Sequence, residues 1–148
     1  MESSKMPAVM GVDEQVFSDV VPRMKEFDFF KNANNSELLL YAFALGAAHG
    51  MEVPIAHMHS GGFARTESFS GKFTSVINAR HVALAGEANP DVVCNQAEAF
   101  GEAERCANGG FQMIAGDLER NPTSETYANQ LLAELDKKYD LLKRNPTQ

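Results

Sequence analysis

The segment over residues 35–50 constrains the fold more than any other part of this chain. It reads NSELLLYAFALGAAHG and carries apolar side chains around its whole circumference. A helix that is apolar on every side has to be surrounded by other elements. It is also too short to cross a bilayer, which needs about 20 apolar residues, so no membrane partner is expected. The sequence therefore predicts a helical domain built around this segment as a buried central helix.

The length of 148 residues is typical of one domain. Residues 1–11 are predicted to form a flexible N-terminus, followed by a single helical domain over residues 12–145. The N-terminus has neither the basic nor the apolar region of a signal peptide. Cys94 and Cys106 are predicted to lie in one helix, too far apart for a disulfide bond. We therefore expect a reduced, cytoplasmic protein.

Apolar residues recur at helical spacing in several further segments. A helix beginning at Asp13 contains Pro22, which predicts a kink or a break just before the proline. Ser70 is predicted to cap another helix, and Asn89-Pro90-Asp91 to begin the next. That helix is predicted to end at Asn108-Gly109-Gly110, where a sharp turn leads into a shorter one.

Between the central helix and Ser70 the helical period is lost. Residues 51–55 and 63–69, on either side of Gly61-Gly62, are predicted to pair as two short strands. The fold class is therefore all-α. We expect a five- to six-helix orthogonal bundle around the buried central helix, with a small β-hairpin insertion as an open alternative.

A final helix is predicted over Ser124–Arg144. Its apolar seam consists of Tyr127, Leu131, Leu135, Tyr139 and Leu142. Glu134–Lys138 and Asp140–Arg144 have the order and spacing of stabilising ion pairs on the opposite side of the helix. This amphipathic helix is one candidate docking surface.

The formal net charge of −7 argues against direct nucleic-acid binding. Affinity for phosphates comes from clustered Lys and Arg, and the basic residues here are dispersed. An acidic chain also fits the opposite role, an inhibitor that mimics DNA, although its acids form no long run.

Three of the four histidines lie close together in the sequence: His49, His57 and His59. Imidazoles bind borderline metals, so these residues are weak candidates for a metal site. No carboxylate or cysteine completes a tetrahedral set at a familiar spacing, and an ordinary loop is the favoured interpretation. No catalytic residue, cofactor-binding motif or cofactor is predicted. An enzyme is less well supported than a non-enzyme.

The segment containing Phe63, Arg65 and Phe69 is a candidate interaction surface, because aromatic residues and arginine dominate interface energetics. The alternative is that both phenylalanines pack inward and leave Arg65 in solvent. Arg80 and His81, at the margin of an apolar helix face, are added as interaction candidates. A core-boundary histidine with a satisfied ring nitrogen is favoured over a catalytic one at position 81.

Four features occur in a specific order along residues 38–118. They are Ala44-Leu45-Gly46, Val53-Pro54-Ile55, a helix over residues 77–85, and Glu104-x-x-Ala107-Asn108-Gly109-Gly110-Phe111. In this order the chain resembles a family of small proteins associated with the Dnd system, which modifies DNA backbones with sulfur (phosphorothioation). Cys106 stands where that family tends to have an aromatic residue, and Phe111 replaces a leucine.

The resemblance transfers no functional residue, because its motifs shape turns and core. It implies a setting in bacterial DNA modification and restriction defence. We therefore expect an accessory or regulatory protein that acts by protein–protein contact with DNA-modification or restriction components, either as a single copy or as a homo-oligomer. The alternatives are a phage-encoded acidic inhibitor of a defence complex and a small-ligand or metal-binding module near His57 and His59.

Overall fold

The computed structural model describes residues 5–88 and 95–144. In chain order the elements are β1 (Val9–Met10), a π-helix (Val16–Val20), α1 (Val21–Lys25), α2 (Asn35–Ala48), β2 (Ala64–Arg65), a 3₁₀ turn (Thr66–Ser68), α3 (Gly71–Ala88), α4 (Gln96–Arg120) and α5 (Ser124–Arg144). The prediction of an all-α bundle with a small sheet is confirmed. Within the described residues, none of these helices combines the length and apolar character needed to span a membrane.

Helix α2 is capped at its start and is followed by a glycine. The Asn34 side chain accepts a hydrogen bond from the Glu37 amide, and the Glu37 carboxylate accepts one from the Asn34 amide, which together form a capping box. Gly50 follows the helix with a φ of +65°. The buried residues of α2 are Leu38, Leu39, Ala42, Phe43 and Gly46.

One stripe of α2 is nevertheless exposed, and it contains Leu40, Ala44 and Ala48. The expectation that neighbours surround this helix on every side is wrong for that stripe. The other elements cover the opposite sides and leave this one to solvent.

Helices α2 and α4 form the most extensive helix pair of the fold, and their backbones are in contact. A Cβ atom added to Gly46 would overlap the carbonyl oxygen of Cys106, and one added to Gly110 would overlap the carbonyl oxygen of Ala42. The prediction that Asn108-Gly109-Gly110 ends a helix is wrong, because α4 runs through it without a break. These glycines permit a close crossing instead of a turn.

The helix around Pro22 changes type without ending. The Val21 amide donates to the carbonyl of Val16, the hydrogen bond of a π-helix. A proline has no N–H, and its ring crowds the carbonyl four residues earlier. The turn before Pro22 is therefore wider than an α-turn, and α1 continues to Lys25.

The small sheet joins segments that the sequence did not pair. β1 runs antiparallel to β2, with Val9 opposite Arg65 and Met10 opposite Ala64. The predicted flexible N-terminus is therefore wrong for Val9 and Met10, and Met10 is fully buried. The predicted strand over residues 51–55 is also wrong. That segment lies against α4, where the Val53 amide donates to the carbonyl of Arg105 at 3.0 Å.

The starts of α3 and α4 are set by capping side chains. Ser70 Oγ accepts a hydrogen bond from the Phe73 amide at 3.1 Å, as predicted. Asn95 caps α4 by accepting from the Glu98 amide. The predicted start at Asn89-Pro90-Asp91 lies outside the described residues, as does Cys94. Cys106 is buried within α4.

Candidate functional site

Helix α5 is attached to the rest of the protein at its first turns. The Tyr127 side chain is 1% exposed and packs edge-on against Phe27, with ring centroids 5.8 Å apart. Its hydroxyl lies 3.2 Å from that of Tyr41. Burial raises the pKa of Tyr127, so the phenol is neutral at physiological pH. Tyr127 is the anchor of α5.

Beyond its anchor, α5 presents an apolar stripe to solvent. The exposed fractions are 60% for Leu132, 63% for Leu135, 64% for Tyr139 and 67% for Leu142. Of the seam predicted from the sequence, Tyr127 is buried and Leu131 is half-buried, while the remaining members are exposed. Contiguous apolar residues at a surface are typical of interaction sites.

The exposed stripe continues into a groove between α5 and the segment that precedes α2. The groove has an open volume of about 230 Å³ and is lined by Phe29, Tyr41, Leu131, Glu134, Leu135 and Lys138. Phe29 is 59% exposed and packs edge-on against Tyr41, with ring centroids 5.7 Å apart. We call Phe29, Leu132, Leu135, Tyr139 and Leu142 together the α5 surface.

The charges along α5 are segregated. Residues 124–136 carry three acids and no Lys or Arg, for a net charge of −3, whereas residues 137–144 carry four basic residues and one acid, for +3. Neither predicted ion pair, Glu134–Lys138 or Asp140–Arg144, forms in the described part of the helix. Glu134 instead accepts a hydrogen bond from Gln130 at 3.1 Å. The helix therefore has an acidic first half and a basic second half.

The two phenylalanines of the predicted interaction loop pack inward. Phe63 is buried, with its ring 6.0 Å from that of Phe111. Phe69 packs on Phe73 at 4.7 Å. Arg65 is exposed and pairs with Glu67 at 3.2 Å. The alternative of inward-packed phenylalanines is the one observed.

Arg80 and His81 belong to a charged network that joins three elements. His81 is buried, and its Nδ1 lies 3.1 Å from a carboxylate oxygen of Glu102. Arg80 is 3.5 Å from Glu52 and 3.7 Å from Glu102, and Arg105 is 3.3 Å from Glu52. The network connects α3, α4 and the segment after α2. His81 is therefore a core residue, and an interaction surface at Arg80 stays a prediction.

The three clustered histidines have different surroundings. His49 ends α2 and is exposed, whereas His59 Nδ1 lies 2.5 Å from Glu14 and its ring stacks on Phe17 at 3.7 Å. His57 is exposed and does not lie in a strand. In the described ranges, no three His, Cys, Asp or Glu side chains come together as metal ligands.

A cleft of about 420 Å³ opens beside His57, between the π-helix and α4. On its wall the Asp13 carboxylate accepts hydrogen bonds from the amides of Gln15, Ala56 and His57, and these bonds lower the pKa of Asp13. Asn108, buried in mid-helix, donates to the carbonyls of Val53 and Pro54. Two polar side chains of the cleft, Asp13 and Asn108, are therefore held by hydrogen bonds to the backbone.

In comparisons with known proteins, no family model, curated protein or solved structure matches the chain. The resemblance to Dnd-associated proteins stays a prediction. The sequence pattern named Leu135, Tyr139 and Leu142 of the α5 surface as part of a helix seam, but it missed Leu132 and gave no indication that Phe29 is exposed. Its neighbour Phe30 is the buried one, and no local signal distinguishes the two adjacent phenylalanines.

Proposed function

We propose that this protein acts by protein–protein contact, as an accessory or regulatory component, and that α5 is its contact element. The observation that carries the proposal is the exposed stripe of Leu132, Leu135, Tyr139 and Leu142. Hydrophobic side chains of this size gain roughly 1.5–3 kcal/mol each on full burial. A partner that covers the stripe therefore gains several such contributions.

The setting that we propose is bacterial DNA modification or phage defence, and it rests on the sequence resemblance alone. The residues that carry the resemblance include Gly46 and Gly110, which meet at the α2–α4 crossing. They therefore support a shared fold and supply no chemistry. The contact with other components is assigned to α5, which lies outside the resembling region.

Affinity purification of the tagged protein from its native cells tests the proposal. We expect the wild type to retain specific DNA-modification or restriction components, identified by mass spectrometry, and a Leu135→Ser, Tyr139→Ser variant to lose them. Val76→Ser is the matched control, because Val76 is also exposed but lies on α3. Retention of the same proteins by the double variant, or of none by the wild type, contradicts the proposal.

A second candidate function, small-ligand binding, is favoured by the cleft beside Asp13, His57 and Asn108. Thermal-shift screening against nucleotides and divalent cations tests it. A ligand at 100 times its Kd should add about 2.7 kcal/mol of stability, and His57→Ala should reduce the shift. A screen without a shift in the wild type contradicts this candidate.

A further inference from the structure

Five exposed apolar residues of α5 follow a heptad pattern. Ala128, Leu132, Leu135, Tyr139 and Leu142 are spaced by four, three, four and three residues. This alternation is the a/d pattern of a coiled coil, in which side chains of one helix fill holes on another. All five lie in the part of α5 that is exposed. The stripe is therefore shaped for a second helix.

The charge segregation of α5 selects the direction of that second helix. Two parallel copies of α5 would place acidic half beside acidic half and basic half beside basic half. Two antiparallel copies centred near Lys137 place residues 130–136, at −2, beside residues 138–144, at +2. Opposite charges that meet across an interface favour and orient association. The helix is thus complementary to itself in the antiparallel direction.

The apolar seam has the same self-complementarity. An antiparallel pair centred near Lys137 places Leu132 opposite Leu142 of the partner subunit, and Leu135 opposite Tyr139 of the partner subunit. Each residue at an a position of one copy then meets a residue at a d position of the other copy, and the reverse pairing follows from the two-fold symmetry. Leu135 also lines the groove that contains Phe29. Tyr139 of the partner subunit therefore reaches the groove's edge.

We propose that the α5 surface is covered by α5 of a second copy of this chain, in an antiparallel, two-fold symmetric pair. This inference rests on the proposed function of α5 as a contact element and names its occupant. A membrane surface fits less well, because Glu134, Asp136 and Asp140 lie along the same helix and the chain carries −7 overall. Repulsion from anionic lipids disfavours that occupant.

Sedimentation velocity of the purified full chain tests the pair. We expect a concentration-dependent dimer for the wild type and for Val76→Ser, and a monomer for Leu135→Ser, Tyr139→Ser. Circular dichroism checks that the double variant has folded. Because salt screens attraction between unlike charges, the dimer Kd should rise about fivefold between about 0.05 M and about 0.5 M salt. A wild type that stays monomeric, a dimer that survives the double variant, or a dimer that tightens with salt overturns the inference.

Charge reversal provides a second test that does not depend on the apolar residues. Lys138→Glu, Lys143→Glu makes α5 acidic throughout most of its length, and Glu134→Lys, Asp136→Lys makes it mostly basic. Each variant alone is expected to be monomeric because like charges then face each other. Mixing the two should restore a heterodimer. No association in the mixture contradicts the charge-directed pairing.

The outcomes separate this inference from the proposed function. A dimer that retains no other component in affinity purification supports the pairing and contradicts the proposed cellular role. A monomer that retains specific components through α5 does the reverse. Binding to vesicles of anionic lipid by wild type, lost in the double variant, would assign the α5 surface to a membrane and overturn the pairing.

Discussion

At the α2–α4 crossing two backbones are in contact, whereas α5 is attached to the body through Tyr127 and the half-buried Leu131. Both regions are built from helices with apolar seams. At the crossing, Gly46 and Gly110 have no side chain to hold the helices apart. The apolar residues around the crossing are therefore buried between the two helices. Along the second half of α5 the apolar residues of the seam stay in solvent. The amount of apolar surface on a helix therefore does not decide its burial.

The largest effect is expected where the two backbones meet. Gly110→Ala should lower the free energy of unfolding by at least about 4 kcal/mol, since the new methyl group overlaps the Ala42 carbonyl and backbone atoms cannot step aside cheaply. Urea denaturation measures the change. Gly86→Ala is the control, because a Cβ there meets no atom of the described residues within 4 Å, and it should raise stability by about 0.5 kcal/mol. Similar losses for both variants would contradict the close crossing.

The two tyrosines of α5 offer a comparison within one helix. Tyr127→Ala should cost about 3 kcal/mol, because it removes a buried aromatic ring. Tyr139→Ala should change stability by less than about 0.5 kcal/mol, as is usual for exposed sites. Urea denaturation at concentrations below dimerisation provides both values. If the costs were equal, the second half of α5 would have to be packed against the body.

The hydroxyl of the anchor should have a smaller effect that depends on pH. Tyr127→Phe loses the hydrogen bond to Tyr41 and should cost about 1 kcal/mol near neutral pH. Burial raises the pKa of Tyr127 from its ordinary value of 10.0. Above that value the unfolded phenol ionises while the folded one stays neutral, so the wild type loses stability as pH rises.

The phenylalanine variant lacks that ionisation, so its stability should fall less steeply in alkali. Urea denaturation at neutral pH and at about pH 10.5 compares the slopes. Burial also raises the pKa of Tyr41, which contributes in both proteins. If the stability of the variant fell more steeply than that of the wild type, a raised pKa for Tyr127 would be wrong.

Local interactions explain which elements were predictable. The final helix was predicted with the bounds Ser124–Arg144 that the structure has, and Ser70 caps α3 as expected. In both cases the deciding hydrogen bonds join residues within about one turn. Gly109-Gly110 misled the same reasoning, because a glycine pair that permits a turn also permits close helix contact. Only the position of α2 against these glycines distinguishes a close helix contact from a turn.

The interaction site was predicted only in part, because some of its features depend on local sequence and others on distant contacts. The seam of α5 is a periodic pattern and is visible in the sequence. For Phe63 and Phe69 the sequence left both an exposed and an inward-packed arrangement open. Their exposure depends on packing against Phe111, which is distant in the sequence, and Phe73, which lies on α3. Burial of an aromatic side chain is a property of its surroundings and cannot be inferred from its own neighbours in the chain.

The sequence by itself determined that this chain is helical, where α2 and α5 lie, and that α5 is amphipathic, because capping and periodicity act over a few residues. The tertiary structure alone decided three other features: that Val9–Met10 pairs with Ala64–Arg65, that α4 is continuous through its glycines, and that the α5 seam beyond Leu131 faces solvent. Each of these depends on contacts between residues far apart in the chain, whose free energy is realised only when the whole domain has formed.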